Sequence, residues 1–260
     1  MQNLIVEKHN TVGWITFNDP AKLNAMSYEM WSGLAQALAG FENDDQVRVV
    51  VLTGAGEKAF VSGANIAQFE KLRTTSDAVA EYERVAEGAQ HALYHFPKPT
   101  IAKIRGYCVG GGLNLALCCD VRIATQDSTL FLPAGKLGLG YRFSAIRNLV
   151  TTIGAANALD VFLSGRRFSA AEALQKGLVQ LVADTEAFDQ TVQDYIDRVA
   201  ANAPLTLQVG KQMIREFQKL PPDTDLELMQ QLLKRCFDSE DYAEGKRAFA
   251  EKRTPQFRGR

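Results

Sequence analysis

The stretch GYCVGGGLNLALCCD, residues 106–120, runs three successive glycines into an apolar segment whose one strongly polar side chain before Asp120 is Asn114. Glycine lets a ligand or a neighbouring strand come close to the backbone. The first turn of a helix presents N–H groups that lack carbonyl partners and carry a partial positive charge. Leu113, Leu115, Ala116, Leu117 and Cys118 surround the axis of the helix that follows, so it is expected to be buried. Two readings stand: a backbone cradle for an oxyanion, or tight packing of a strand-to-helix turn. Neither G-x-G-x-x-G nor G-x-x-x-x-G-K-[ST] occurs, so a dinucleotide fingerprint and a P-loop are excluded.

Upstream of these glycines, residues 3–8 and 12–17 read as two strands of a hairpin turning at His9, Asn10 and Thr11. Ser27 opens a helix with Met30, Leu34, Leu38 and Phe41 on one face. VRVVVLT, residues 47–53, is nearly continuous in hydrophobicity, as a strand covered on both faces requires. KAFVSGANIAQF, residues 58–69, follows it and makes a second strand-loop-helix unit, whose backbone N–H groups near Gly63 and Ala64 can converge with those of the first. A helix from about Ser76 stops before Pro97 and Pro99, and further strands are expected at 100–105, 120–125 and 129–132. From Glu186 onward the pattern is helical over 186–201, 205–218, 225–237 and 239–251. This shift near residue 200 divides a mixed α/β body, 1–200, from a helical region, 201–260, too short to form a large core of its own.

The totals restrict function more than they reveal it. Twenty-nine basic against thirty acidic side chains give a net charge of -1, which offers no electrostatic footprint for nucleic acid or an anionic membrane. No apolar run approaches the roughly 20 residues of a membrane span, and Met1-Gln2-Asn3-Leu4 leads directly into a strand pattern, so a cytoplasmic location is expected. Cys108, Cys118, Cys119 and Cys236 form no C-x-x-C pair and read as reduced, buried thiols. His91 and His95 stand one helical turn apart, but with His9 as the remaining histidine they suggest exposed helix positions before a metal cluster.

Taken in order, VGWITFNDPAKLNAMS, VRVVVLTGAGEKAFVSGANI, KPTIAKIRGYCVGGGLNLALCCDVRIAT, FLPAGKLGLG, GRRFSAAEALQKGLV and FAEKRTPQF resemble the enoyl-CoA hydratase/isomerase, or crotonase, superfamily over essentially the whole chain. The resemblance implies a crotonase-like α/β spiral of ββα units, a C-terminal helical trimerisation region, and a homotrimer or a homohexamer built as a dimer of trimers. It implies no bound cofactor and a substrate carried as a coenzyme A thioester, whose carbonyl oxygen would sit between the N–H groups of Ala64 and Gly111. Such a pair stabilises the enolate formed beside a thioester, and removing one oxyanion donor typically costs about 2.7–4 kcal/mol. The same likeness places Lys22 beside the CoA, Ala64, Asn65 and Ile66 at its adenine through backbone, and Gly110 on the substrate side of the glycine turn.

Departures from the family pattern concern the acids. Hydratases of this family use two glutamates for general acid/base work. The positions matching them are Asn114 and, in the segment Pro133-Ala134-Gly135-Lys136-Leu137-Gly138, Ala134. S-G-A-D becomes Ser62-Gly63-Ala64-Asn65, which removes a third carboxylate. A neutral site suits a substrate that brings its own charge, as in decarboxylation of a malonyl-type thioester. LGLGYRFSAIRNL, residues 137–149, partly resembles the methylmalonyl-CoA decarboxylase branch, with Tyr141 matching the tyrosine near the substrate carboxylate. On this reading Tyr141 positions or protonates the substrate, Asn114 hydrogen-bonds its polar end and Arg142 pairs with a carboxylate. Two alternatives stay open: an acid from the helix after the first oxyanion loop, where Tyr82, Glu83 and Glu87 lie, and a non-catalytic acyl-CoA binder.

Overall fold

The computed structural model describes residues 3–65, 76–219 and 237–256, together with Glu227, Gln230, Gln231 and Lys234. Strands β1 (Leu4–His9) and β2 (Val12–Phe17) form the expected hairpin. Asn10 occupies its tip at φ 54°, a left-handed conformation that asparagine tolerates. Helix α1 (Tyr28–Glu42) is capped by Ser27, whose Oγ accepts from the Met30 N–H at 3.2 Å, and it buries Met30, Trp31, Leu34, Leu38 and Phe41.

Three successive segments then repeat one plan. A long strand enters the main sheet, a three-residue strand enters a second sheet, and helices follow the first two such pairs. β3 (Val49–Gly54) and β4 (Ala59–Val61) precede α2 (Ser76–Tyr94); β5 (Thr100–Ile104) and β6 (Tyr107–Val109) precede α3 (Gly111–Cys118); β7 (Val121–Thr125) and β8 (Thr129–Phe131) come next. The main sheet has the order β1-β2-β3-β5-β7-β10 and the second β4-β6-β8-β9, where β9 is Phe168–Ser169 and β10 is Leu181–Ala183. From β2 to β10 the main sheet is parallel. Val49, Val50, Val51 and Leu52 are all fully buried, as a strand covered on both faces must be.

Helix α6 (Phe188–Ala200) covers one face of that sheet. Its Phe188, Val192 and Ile196, spaced by one turn, pack on Val12, Val49, Val51, Ile101 and Ile123. Each such side chain taken out of water contributes about 1.5–3 kcal/mol.

By compactness the described chain forms two units. The first combines Met1–Leu130 with Phe168–Phe217; the second combines Phe131–Arg167 with Gln218–Arg260. Among the described residues the last strand ends at Ala183, and α7 (Pro204–Phe217) belongs to the first unit. There it is anchored by charge: Asp120 accepts from Lys211 Nζ at 2.6 Å and Arg215 Nη2 at 3.2 Å, and also from the Thr100 N–H and Oγ1. Burial presses the Lys211 ammonium toward a lower pKa, and the facing Asp120 carboxylate opposes that shift. The opposite side of α7 carries Leu205, Val209, Met213 and Phe217, each one turn from the next and all exposed; Leu205 is 75% and Phe217 94% exposed.

The second unit contains α4 (Phe143–Ser164), broken in backbone geometry at Gly154 (φ 75°), and α8 (Glu240–Ala250). Gly138 and Gly245 let α8 lie against the 135–138 turn: a Cβ on Gly245 would stand 2.1 Å from the Leu137 carbonyl oxygen. Glu244 ties down the segment after α8, accepting from Arg247, from Arg253 Nη1 at 2.6 Å and from the Gln256 N–H at 3.0 Å. Helix α5 (Ala170–Lys176), in the first unit, begins with a capping box between Ser169 and Glu172.

Candidate functional site

The first turn of the site is built by the PAKLNAMS segment lying along the end of β4. Ser62 N donates to the Leu23 carbonyl at 3.1 Å, Met26 N to Gly63 at 2.8 Å and Asn65 N to Met26 at 2.9 Å. Ser62 Oγ reaches the Lys22 carbonyl at 3.3 Å. These bonds leave out the N–H of Ala64, which is exposed, while Asn65 is buried. To make this path the chain places Leu23 and Asn24 at φ 53° and 55°. Such a conformation is costly for leucine and needs support. Fully buried Asn24 supplies it: its amide accepts from Asp19 N at 3.0 Å and donates to the Ala55 and Ala59 carbonyls at 3.0 and 2.8 Å.

The second turn is the triple glycine. Gly110 adopts φ 54°, ψ -114°, open to glycine and strained for any other residue, and it occupies the N-cap position of α3. Gly111 follows as the first helical residue, so its N–H has no carbonyl four residues back. Gly112 is required for packing: a Cβ there would lie 2.2 Å from the Val61 carbonyl oxygen. That contact brings the two turns together, and a Cβ on Gly111 would stand 3.9 Å from the Ala64 nitrogen. At its other end α3 is held by buried Arg122, which donates to the Ala116 and Cys119 carbonyls at 3.3 and 2.8 Å. Cys108, Cys118 and Cys119 are buried beside it, and burial pushes the Cys108 and Cys119 thiols well above their ordinary pKa.

Asn114 stands one turn along α3 from Gly111 and is 4% exposed. Its Nδ2 donates to Gln90 Oε1 on α2 at 2.6 Å, and its Oδ1 has no hydrogen-bond partner among the described residues. Gln90 is a site neighbour that sequence reasoning missed, since a polar residue on an amphipathic helix reads as solvent-facing. Tyr82 is not a free-standing acid at this place. It is buried, its hydroxyl accepts from Trp31 Nε1 at 3.2 Å and donates to the Met26 carbonyl at 3.4 Å, so it braces the strand segment that pairs with Ala64. Glu83 is half-buried and Glu87 exposed on the same helix.

Lys22, Ala64, Asn65, Gly110, Gly111 and Asn114 all belong to the first unit, the last two on α3. The Lys22 side chain is 61% exposed and 3.4 Å from the Asp19 carboxylate. Ile66 lies outside the described residues. Ala134, Tyr141 and Arg142 belong to the second unit. Ala134 is buried and its carbonyl accepts from the Leu139 N–H at 3.0 Å. Tyr141 is half-buried with its ring edge-on to Phe162 at 6.0 Å, and the Arg142 carbonyl accepts from the Ala145 and Ile146 N–H groups of α4. Among the described residues no three His, Cys, Asp or Glu side chains are grouped to hold a metal, and no helix is long and apolar enough to cross a membrane.

Paired strands feeding two sheets, with two backbone turns meeting at a buried helix start, define an α/β protein whose candidate site is made of main-chain N–H groups. The family model described as Enoyl-CoA hydratase/isomerase matches residues 7–260. The chain belongs to that family, whose substrates are CoA thioesters. It is 31% identical to the short-chain-enoyl-CoA hydratase of Clostridium acetobutylicum over 97% of this chain and 96% of the relative. It is 35% identical to the (E)-benzylidenesuccinyl-CoA hydratase of Thauera aromatica over 98% of both. Among solved structures, methylmalonyl-CoA decarboxylase complexed with 2S-carboxypropyl CoA superposes with a TM-score of 0.91 at 28% identity, covering 100% of this chain and 99% of that one.

Proposed function

We propose that the protein stabilises the enolate of an acyl-CoA thioester between the Ala64 and Gly111 N–H groups, and that its chemistry is loss of carbon dioxide from a malonyl-type acyl group. The observation that carries this reading is the neutral pair Asn114–Gln90 one turn from Gly111, where a hydratase of this family has a carboxylate. Ala134, at the position of the second glutamate, has no proton to exchange. In the reaction the bond between the α-carbon and the carboxylate breaks, its electron pair moves into the enolate, and carbon dioxide leaves. The α-carbon then takes up one proton in place of the carboxylate, from a donor that solvent re-protonates. A carboxylate in the site would repel the substrate; two N–H dipoles do not. By the likeness of residues 137–149, Tyr141 positions or protonates the substrate and Arg142 pairs with its carboxylate. Lys22, Asn65, Ile66 and Gly110 line the CoA and acyl path on the same resemblance.

The protein is further proposed to work as a homotrimer or a dimer of trimers, supported by the exposed apolar stripe of α7. A second reading, hydration with an acid drawn from elsewhere, is favoured by the names of the two relatives above. Incubation with crotonyl-CoA and methylmalonyl-CoA together, followed by mass spectrometry, separates the readings. Loss of carbon dioxide from the second with the first unchanged supports decarboxylation; addition of water to crotonyl-CoA overturns it. Binding of both without turnover leaves an acyl-CoA binder.

A further inference from the structure

A buried amide with one end unpaired carries a desolvation penalty that a ligand can relieve. Asn114 is such an amide: Nδ2 is used by Gln90 and Oδ1 is left without a partner among the described residues. Residues three apart on a helix share a face, and helical side chains lean toward the N-terminus. The Asn114 side chain therefore lies on the face of α3 that carries Gly111.

A carboxamide has a donor at one end and an acceptor at the other, and a half-turn about its terminal bond exchanges them. Gln90 is also a carboxamide. With Gln90 Oε1 accepting, Asn114 turns its oxygen toward the site; with both amides reversed, Gln90 Nε2 donates and Asn114 turns its N–H toward the site. We infer that Gln90 is a positioning residue that sets which end of Asn114 meets the acyl group, and that the ligand is an acyl-CoA bearing a hydrogen-bonding substituent on that group. The first setting receives a hydroxyl, the second a carboxylate. This rests on the acyl-CoA reading above.

The test is calorimetric binding of three unreactive thioethers, carboxypropyl-CoA, hydroxypropyl-CoA and propyl-CoA, to the full chain. One polar probe should bind about tenfold tighter than propyl-CoA, the effect of one hydrogen bond. Gln90→Met should reduce that advantage to within about twofold and leave propyl-CoA binding unchanged; in an Asn114→Ala background it should change neither. Gln90→Glu, which can only accept, should keep an advantage for the hydroxyl probe and abolish one for the carboxylate; it also serves if the methionine variant does not fold. The inference is overturned if the advantage survives Gln90→Met, if Gln90→Met acts equally without Asn114, or if no polar probe outbinds propyl-CoA. A coupled advantage for hydroxypropyl-CoA alone upholds Gln90 and removes the decarboxylase reading, so the two fail separately.

Discussion

Replacing Gly112 by alanine isolates the contact that joins the two halves of the site. The new methyl carbon would begin 2.2 Å from the Val61 carbonyl oxygen and 2.7 Å from Val61 Cβ. Even a close C–H···O contact needs about 3.3 Å, so α3 must retreat by about 1 Å. The obstacle is backbone, and no rotamer relieves it, so the cost falls near the upper end of overpacking, about 3 kcal/mol. Alanine returns about 1 kcal/mol of helix propensity. The net loss of about 2 kcal/mol corresponds to a Tm lower by about 4–8 °C. Retreat of α3 would also draw the Gly111 N–H away from the thioester oxygen it is proposed to hold, which should lower kcat about 100-fold. Gly88 on α2 is the matched control: an added Cβ meets nothing within 4 Å, so Gly88→Ala should stabilise by up to about 1 kcal/mol. Thermal melts followed by circular dichroism read both signs. A Gly112→Ala protein melting at or above the parent would refute the close-packing argument.

Two further outcomes are expected. The Arg253 guanidinium, with the Gln256 N–H and the Arg247 guanidinium, holds Glu244 well below its ordinary value of 4.5. A carboxylate depressed in the folded state stabilises above its ordinary pKa and loses that contribution as the pH falls below it. The Tm gap between the parent and Glu244→Gln should therefore narrow between pH 7 and pH 3, and an unchanged gap would remove the clasp. On α7, Met213→Glu with Phe217→Glu should shift sedimentation from an oligomer toward the 28.6 kDa protomer without loss of helix signal; a parent already monomeric at micromolar concentration contradicts the assembly.

Long elements were legible because their burial leaves a period in the sequence. VRVVVLT, TIAKIR and the 12–17 segment appear as β3, β5 and β2, and the α1 face of Met30, Leu34, Leu38 and Phe41 is buried as its spacing requires. The short strands β6, β9 and β10 were not legible, since two or three residues carry no periodicity and their existence depends on partners far along the chain. The glycine turn was ambiguous between ligand approach and packing: Gly112 is needed by Val61, which is packing, while Gly111 adjoins Ala64, where ligand approach is proposed. Asn114 stood out because it was the lone amide in an apolar run. Gln90 did not, because its partner lies 24 residues away and only the α2–α3 contact brings them together.

One consequence of the Asp120 clamp concerns concentration. Helix α3 has eight residues and spans roughly 12 Å; the Gly111 N–H lies at one end, and at the other the Cys118 carbonyl accepts from Arg215 of α7. The helix therefore works as a strut between the proposed oxyanion amides and the element whose outer face is proposed to meet another copy. If the proposed assembly holds, loosening α7 on dissociation would free the far end of that strut, so dilution would act on the alignment of the amides as well as on assembly, and specific activity would become a property of the quaternary state.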